Sequence, residues 1–136
     1  ADYRALFEEA TNLLAPVPKK VALNCGVYEL YGREDSRVSE NYLPEKLSET
    51  LRESIGHVLD YVTGAFPETF LMASVNDSLL PASEVLKKKL EASGVPYEYH
   101  EYGHTNPADA HVFHVNLRSE EGVRCNKEEL EFFLRD

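Results

Sequence analysis

Apolar and polar positions follow two different periods along this chain, and each stretch of constant period marks an element. Tyr3, Leu6, Phe7, Ala10, Leu13 and Leu14 recur three and four apart, with Arg4, Glu8, Glu9 and Asn12 between them. That spacing predicts a helix over 2–15, stopped by Pro16 and Pro18. Val21-Ala-Leu-Asn-Cys25 is a short apolar run ending at Gly26. Its lack of alternation predicts a strand covered on both faces, as in a parallel sheet. Leu47, Leu51, Ile55, Val58, Leu59 and Val62 form a second helical stripe over about 46–63, closed by Gly64. Thr69-Phe-Leu-Met-Ala-Ser-Val75 reads as a second buried strand, and Asn76, Asp77, Ser78 and Pro81 make a turn directly after it. A third helix is predicted over 82–93, with Val85, Leu86 and Leu90 inward and lysines 87–89 toward solvent. Gly94 caps it and Pro96 cannot continue it. Val95 to Tyr102 alternates in part and predicts a third strand, followed by a Gly/Asn/Pro loop at 103–110. Asn126 with Glu129 three residues on is the pattern of a capping box for a last helix over 127–135, with Leu130, Phe133 and Leu134 as its inner face.

Strands separated by helices imply a parallel sheet with right-handed crossovers. The expected fold is α/β, three layers deep, around a small, mostly parallel sheet of about three strands. The 136 residues suit a single domain over 1–136. With 43% hydrophobic and 28% charged residues, the chain is of ordinary globular composition, which excludes disordered and collagen-like classes. A net charge of −10 disfavours phosphate backbones and anionic membranes, so neither nucleic acid nor a membrane is an expected partner. No apolar run approaches the ~20 residues of a membrane span, and no basic-then-apolar leader opens the chain. Cys25 and Cys125 read as free thiols rather than a disulfide framework, so the expected compartment is the reducing cytoplasm.

In open parallel sheets, ligands bind beyond the carboxyl ends of the strands. Cys25-Gly26 ends the first strand, Asn76-Asp77 ends the second, and the loop after the third carries His104, Asp109, His111 and His114. Asp77 and His111 are the candidate catalytic pair: an aspartate on one strand-end loop can hold an imidazole on the next in a fixed tautomer. On spacing alone the alternative stays open, with Asp77 capping a turn and His111 an ordinary loop histidine. His111-x-x-His114 with His104 or Cys125 matches no established zinc spacing. Cys25 is not followed by the tight turn into a helix that would present a nucleophile. Ser74 lies within a strand and Ser78 lacks an elbow, so both read as structural. His57 reads as a half-buried helix residue and His100 as a strand residue. The loop 27–44, with Tyr28, Tyr31 and Tyr42, is either a pocket wall or a solvated loop with aromatic anchors.

The run Phe66-Pro-Glu-Thr-Phe-Leu-Met-Ala-Ser-Val-Asn-Asp77-Ser-Leu-Leu-Pro81 resembles the acid-bearing strand and turn of α/β-hydrolase esterases. Leu86 to Gly103 resembles their next helix and strand, and Ala110-His111-Val-Phe113 is similar to their histidine motif. The resemblance covers residues 66–136 and extends more loosely back to Lys20. It implies Ser-His-Asp ester hydrolysis of a small-molecule ester, with Asp77 and His111 as acid and histidine and with no metal or organic cofactor. None of the seven glycines sits in the Gly-x-Ser-x-Gly elbow that presents the family's nucleophile, and the His-Gly-Gly oxyanion segment is also missing. The chain therefore resembles the C-terminal half of such a hydrolase, with the nucleophile in a missing part or another chain, and is expected to be inactive alone. The rival expectation is a self-contained, non-catalytic α/β binding or interaction domain. On the hydrolase reading, the first strand has an open edge that offers a homodimer contact.

Overall fold

The computed structural model describes residues 18–28 and 57–136. The helix expected over 2–15, residues 29–44 of the tyrosine-rich loop and residues 46–56 of the second helical stripe lie outside these described residues.

Three strands, β1 (Lys20–Asn24), β2 (Glu68–Ser74) and β3 (Tyr97–Tyr102), form a parallel sheet in the order β1-β2-β3. Met72 stands level with Asn24 on one side and His100 on the other, so all three strands end at the same edge of the sheet. β2 is central and buried from Thr69 to Ser74, which is why its sequence is a continuous apolar run rather than an alternating one.

Successive β2 side chains point to opposite faces and thereby sort the core. Leu71 packs with Leu86, Leu90, Val95 and Val62 on one face, the side of helix α1 (Leu80–Ala92). Phe70 and Met72 pack with Cys25, Tyr102, Phe113, Cys125 and Phe132 on the other, the side of helix α2 (Glu120–Leu134). The molecule is thus a three-layer α/β/α arrangement. Phe70 stacks on the His100 ring at 4.6 Å between centroids and meets Phe132 at 5.7 Å, joining β2, β3 and α2.

α1 ends where Gly94 was expected to end it. Gly94 has φ +68, its N–H donates to the Glu91 carbonyl, and the next N–H, of Val95, donates to Leu90 (3.0 Å). This is a Schellman cap, closed by the apolar contact between Val95 and Leu90. The buried stripe of α1 is Ser83, Leu86 and Leu90. Val85, expected to face inward, is half exposed because it sits beside that stripe rather than on it.

α2 differs more from its expected form. It begins at Glu120 rather than 127, and its N-cap is Ser119, whose Oγ accepts the Gly122 N–H at 3.1 Å. Asn126 lies inside the helix, its Nδ2 donating to the carbonyls of His114 (2.7 Å) and Gly122 (2.9 Å), so it forms no capping box with Glu129. The first two turns carry Glu120, Glu121 and Gly122, which break the apolar periodicity that would reveal a helix. The inner face is Glu121, Gly122, Cys125 and Phe132. Leu130, Phe133 and Leu134, the expected inner face, are exposed by 57%, 43% and 74%.

The end of the second helical stripe is a single 3-10 turn, Val58–Tyr61, followed by a turn at Gly64. A second 3-10 turn, Phe113–Val115, leads into α2. Both cysteines are free thiols and both are buried. Among the described residues no helix is long and apolar enough to cross a membrane.

Candidate active site

The carboxyl edge of the sheet gathers three loops, and a short-range turn code sets each. After β2 the chain turns at once: the Asp77 N–H donates to the Ser74 carbonyl (3.0 Å) and the Leu80 N–H to the Asp77 carbonyl (3.1 Å). The Asp77 carboxylate accepts the Leu79 N–H on Oδ1 at 2.9 Å. This Asx-turn fixes the side chain without using Oδ2.

After β3 the chain passes Gly103 at φ +86. Only glycine fits, because an added Cβ would lie 2.8 Å from the Asp109 carbonyl oxygen as well as against Ser74 and Asn76. Ser74 Oγ donates to the Asp109 carbonyl, Asn76 Nδ2 to the Gly103 carbonyl at 2.6 Å, and the Gly103 N–H to the buried Glu121 carboxylate. The Ser119 hydroxyl donates to Asp109 Oδ2 at 2.8 Å. Residues 103–110 are therefore tied to the β2 turn on one side and to the start of α2 on the other. Ser74, read from the sequence as structural, is one of these ties.

That framework delivers His111 to Asp77. His111 Nδ1 lies 2.9 Å from Asp77 Oδ2, a full hydrogen bond with Nδ1–H donating. The Asp77 side chain is 1% exposed and that of His111 52%. A buried carboxylate thus holds the inner nitrogen, which leaves the outer nitrogen, Nε2, as the proton acceptor on the accessible side. The next residue, Val112, has φ +51, a position a β-branched residue occupies only under constraint from its surroundings.

The structure also brings in a residue the sequence reading set aside. Cys25, at the end of β1, has φ +51 and is buried. Its backbone N–H donates to the Met72 carbonyl at 3.2 Å, and its Sγ lies 3.8 Å from Met72 Sδ. One ligand atom each from Cys25, Asp77 and His111 lies within 4.8 Å of the others. Burial pushes the thiol up to about 11, with the Asp77 carboxylate adding to the rise and backbone hydrogen bonding from Val112 and Ser74 opposing it. The available signal was positional: Cys25 is the first of the three strand ends that point at the site. Among the described residues, His104, His114 and Cys125 do not join His111 in such a group. His114 is held below the usual histidine range by burial, with the Glu129 carboxylate opposing.

Beside the acid turn, on the α1 side, lies an apolar recess of about 290 Å³ walled by Tyr28, Leu59, Leu79, Pro81 and Val85. Tyr28 is the part of the tyrosine-rich loop that the described residues include, and its hydroxyl accepts the Gly26 N–H at 3.2 Å.

The architecture is that of known esterases. The chain is similar to esterase B from Lactobacillus rhamnosis inhibited by a tributyrin phosphonate, at 28% identity and a TM-score of 0.72, over 85% of this chain and 38% of that one. It is also similar to that esterase with a C6-C4 SN3 inhibitor, at 26% identity and a TM-score of 0.68. An acetyl ester-xyloside bifunctional hydrolase from Caldicellulosiruptor lactoaceticus shares the fold at 22% identity and a TM-score of 0.67, with 85% of this chain covering 42% of it. The chain thus spans about two fifths of the length of these structures, which fits a C-terminal portion of the esterase fold. No protein-family model and no curated protein sequence matches the chain.

Proposed function

We propose that this chain is the acid-and-histidine portion of a carboxylic ester hydrolase. The observation that carries the reading is the 2.9 Å hydrogen bond from His111 Nδ1 to the buried Asp77 carboxylate, set on the fold of an esterase. A serine outside this chain attacks the ester carbonyl. His111 Nε2 takes the serine proton and passes it to the leaving alcohol, while Asp77 holds the imidazole and stabilises the imidazolium that forms. The substrate class is a small-molecule ester, and the single domain over 1–136 is one part of a larger catalytic domain. Among the described residues β1 pairs only with β2. Its outer edge is where the rest of the fold, or a second copy of this chain, adds a strand.

The test is turnover of an activated short-chain ester by the full-length protein. His111→Ala and Asp77→Asn are each expected to lower kcat by about 10⁴-fold or more. Full activity in both variants would end the reading. The 136-residue chain alone is expected to show no turnover, since it lacks both nucleophile and oxyanion donors. Turnover by that chain which survives Cys25→Ala and vanishes in His111→Ala would reveal a nucleophile within it.

A further inference from the structure

The hydrolysis reading uses Asp77 and His111 and leaves Cys25 without a role, although its thiol sits at the same point. We propose that Cys25, Asp77 and His111 together form a binding site for a thiophilic divalent cation of the zinc class. The inference about binding stands apart from ester hydrolysis; only its consequence for catalysis rests on that reading.

The donor set is one each of the three ligand types that zinc takes, a thiolate, an imidazole and a carboxylate. They come from three separate strand-end loops and converge, with their ligand atoms within 4.8 Å of one another. Bond lengths of 2.0–2.3 Å in a tetrahedron put neighbouring ligand atoms about 3.4–3.6 Å apart. Separations of up to 4.8 Å would close by about 1.2–1.4 Å at most, and the 2.9 Å between His111 Nδ1 and Asp77 Oδ2 would open by about 0.6 Å, as an ion enters. Cys25 and Asp77 are buried and His111 is half exposed, so the ion has a route in and a fourth position open to water.

Charge also balances. The ion displaces one proton from the thiol, so thiolate and carboxylate together carry two negative charges against its two positive ones. A neutral centre avoids the cost of a net buried charge. At His111 the ion takes the place of the Nδ1 proton, which now hydrogen-bonds to Asp77, and that proton moves through solvent to Nε2. The imidazole stays neutral but its outward nitrogen changes from acceptor to donor. On the hydrolysis reading this removes the general base, so the ion is an inhibitor.

Cadmium is the probe, because its bond to thiolate gives an ultraviolet charge-transfer band that imidazole and carboxylate ligation do not. Titration of the metal-free full-length protein is expected to give a saturable one-to-one band that zinc displaces. Cys25→Ser abolishes the band, Cys125→Ser leaves it, and His111→Ala, a change at a half-exposed side chain, weakens binding by at least about tenfold. Absence of the band overturns the proposal, and so does a band that follows Cys125 or ignores His111. Should Cys25→Ser fail to fold, nitrogen shifts of the His111 ring in the unmodified protein decide: zinc must metallate Nδ1 and leave a proton on Nε2, and an unchanged ring overturns the site. If hydrolysis fails but the site is real, the cadmium band remains. If the site is wrong but hydrolysis is right, esterase activity remains and zinc does not lower it.

Discussion

The helices α1 and α2 cover opposite faces of one sheet, and they do so on different terms. α1 buries Ser83, Leu86 and Leu90 and turns Lys88 and Glu91 outward, while the half-buried Lys87 and Glu84 pair at 3.8 Å, with the Lys87 ammonium 4.4 Å over the Tyr99 ring of β3. It has one apolar side, and the sheet uses it. α2 buries Cys125 and Phe132 together with Glu121 and Gly122, while Val123, Leu130, Phe133 and Leu134 stay exposed. Its inward side serves the histidine loop as well as the core: Glu121 accepts the Gly103 N–H, Ser119 donates to Asp109, and Asn126 holds the His114 carbonyl. One helix is a finished outer layer. The other is a clamp for the histidine loop that presents a second apolar side to its surroundings, a feature more typical of a contact surface than of a solvated one.

The comparison is open to attack from several directions. The largest effect is expected from Phe132→Ala, about 3–5 kcal/mol in urea unfolding, since the ring is fully buried against Phe70. The same change at Phe133, 43% exposed, should cost well under half of that; equal losses would show that α2 packs by its other side. Leu90→Ala on α1 is expected to cost about 2–5 kcal/mol while leaving the His111 ring resonances in place, because α1 does not hold the histidine loop. Movement of those resonances would mean the two helices share that task.

Ionisation separates the two faces as well. Cys25 and Cys125, both on the α2 face, are pushed by burial from 9.0 to about 11 and about 12. A folded state that holds a thiol neutral is favoured fully below pH 9 and loses that advantage as pH rises through 11 toward 12. Hydrogen exchange above pH 9 should therefore open α2 before α1; Tyr28, pushed up to about 12 by burial, is the counterpart on the α1 face. Simultaneous opening would remove the distinction. Ser119→Ala is expected to cost about 2 kcal/mol or more, for the lost cap of α2 and for the buried Asp109 carboxylate left without its hydroxyl donor. At the small end, Leu130→Ser and Leu134→Ser should fall within about 0.5 kcal/mol of zero. A loss near that of Phe132→Ala would show the outer side of α2 to be covered.

Much of this was legible in the residues. The unbroken apolar run from Thr69 announced a central parallel strand, Gly94 and Pro96 marked the end of α1, and Asp77 and His111 stood out at two strand ends. These are local signals: period, turn chemistry and position after a strand act over a few residues and survive without knowledge of the partners. The failures share one cause. In α2 the capping box at Asn126 and the apolar trio Leu130, Phe133 and Leu134 obeyed local rules, but Glu121 and Gly122 were the residues turned inward. Their burial is stabilised by the Gly103 N–H and by close approach to the Asn116 carbonyl, contacts from sequence-distant or differently folded segments.

What the amino-acid order determined by itself, among the described residues, was the order of β1, β2, α1, β3 and α2, the shared carboxyl edge, and which acid and which histidine end up there. Those follow from hydrophobic period and chain connectivity, which every short window of the sequence carries. The tertiary structure decided the 2.9 Å meeting of Asp77 with His111, the arrival of Cys25 beside them, and the side of α2 that faces the core. Each depends on distances between loops separated by whole elements. Such distances are set by how Gly103, Ser74, Asp109 and Ser119 satisfy one another's hydrogen bonds once the sheet has formed, and no local pattern encodes that.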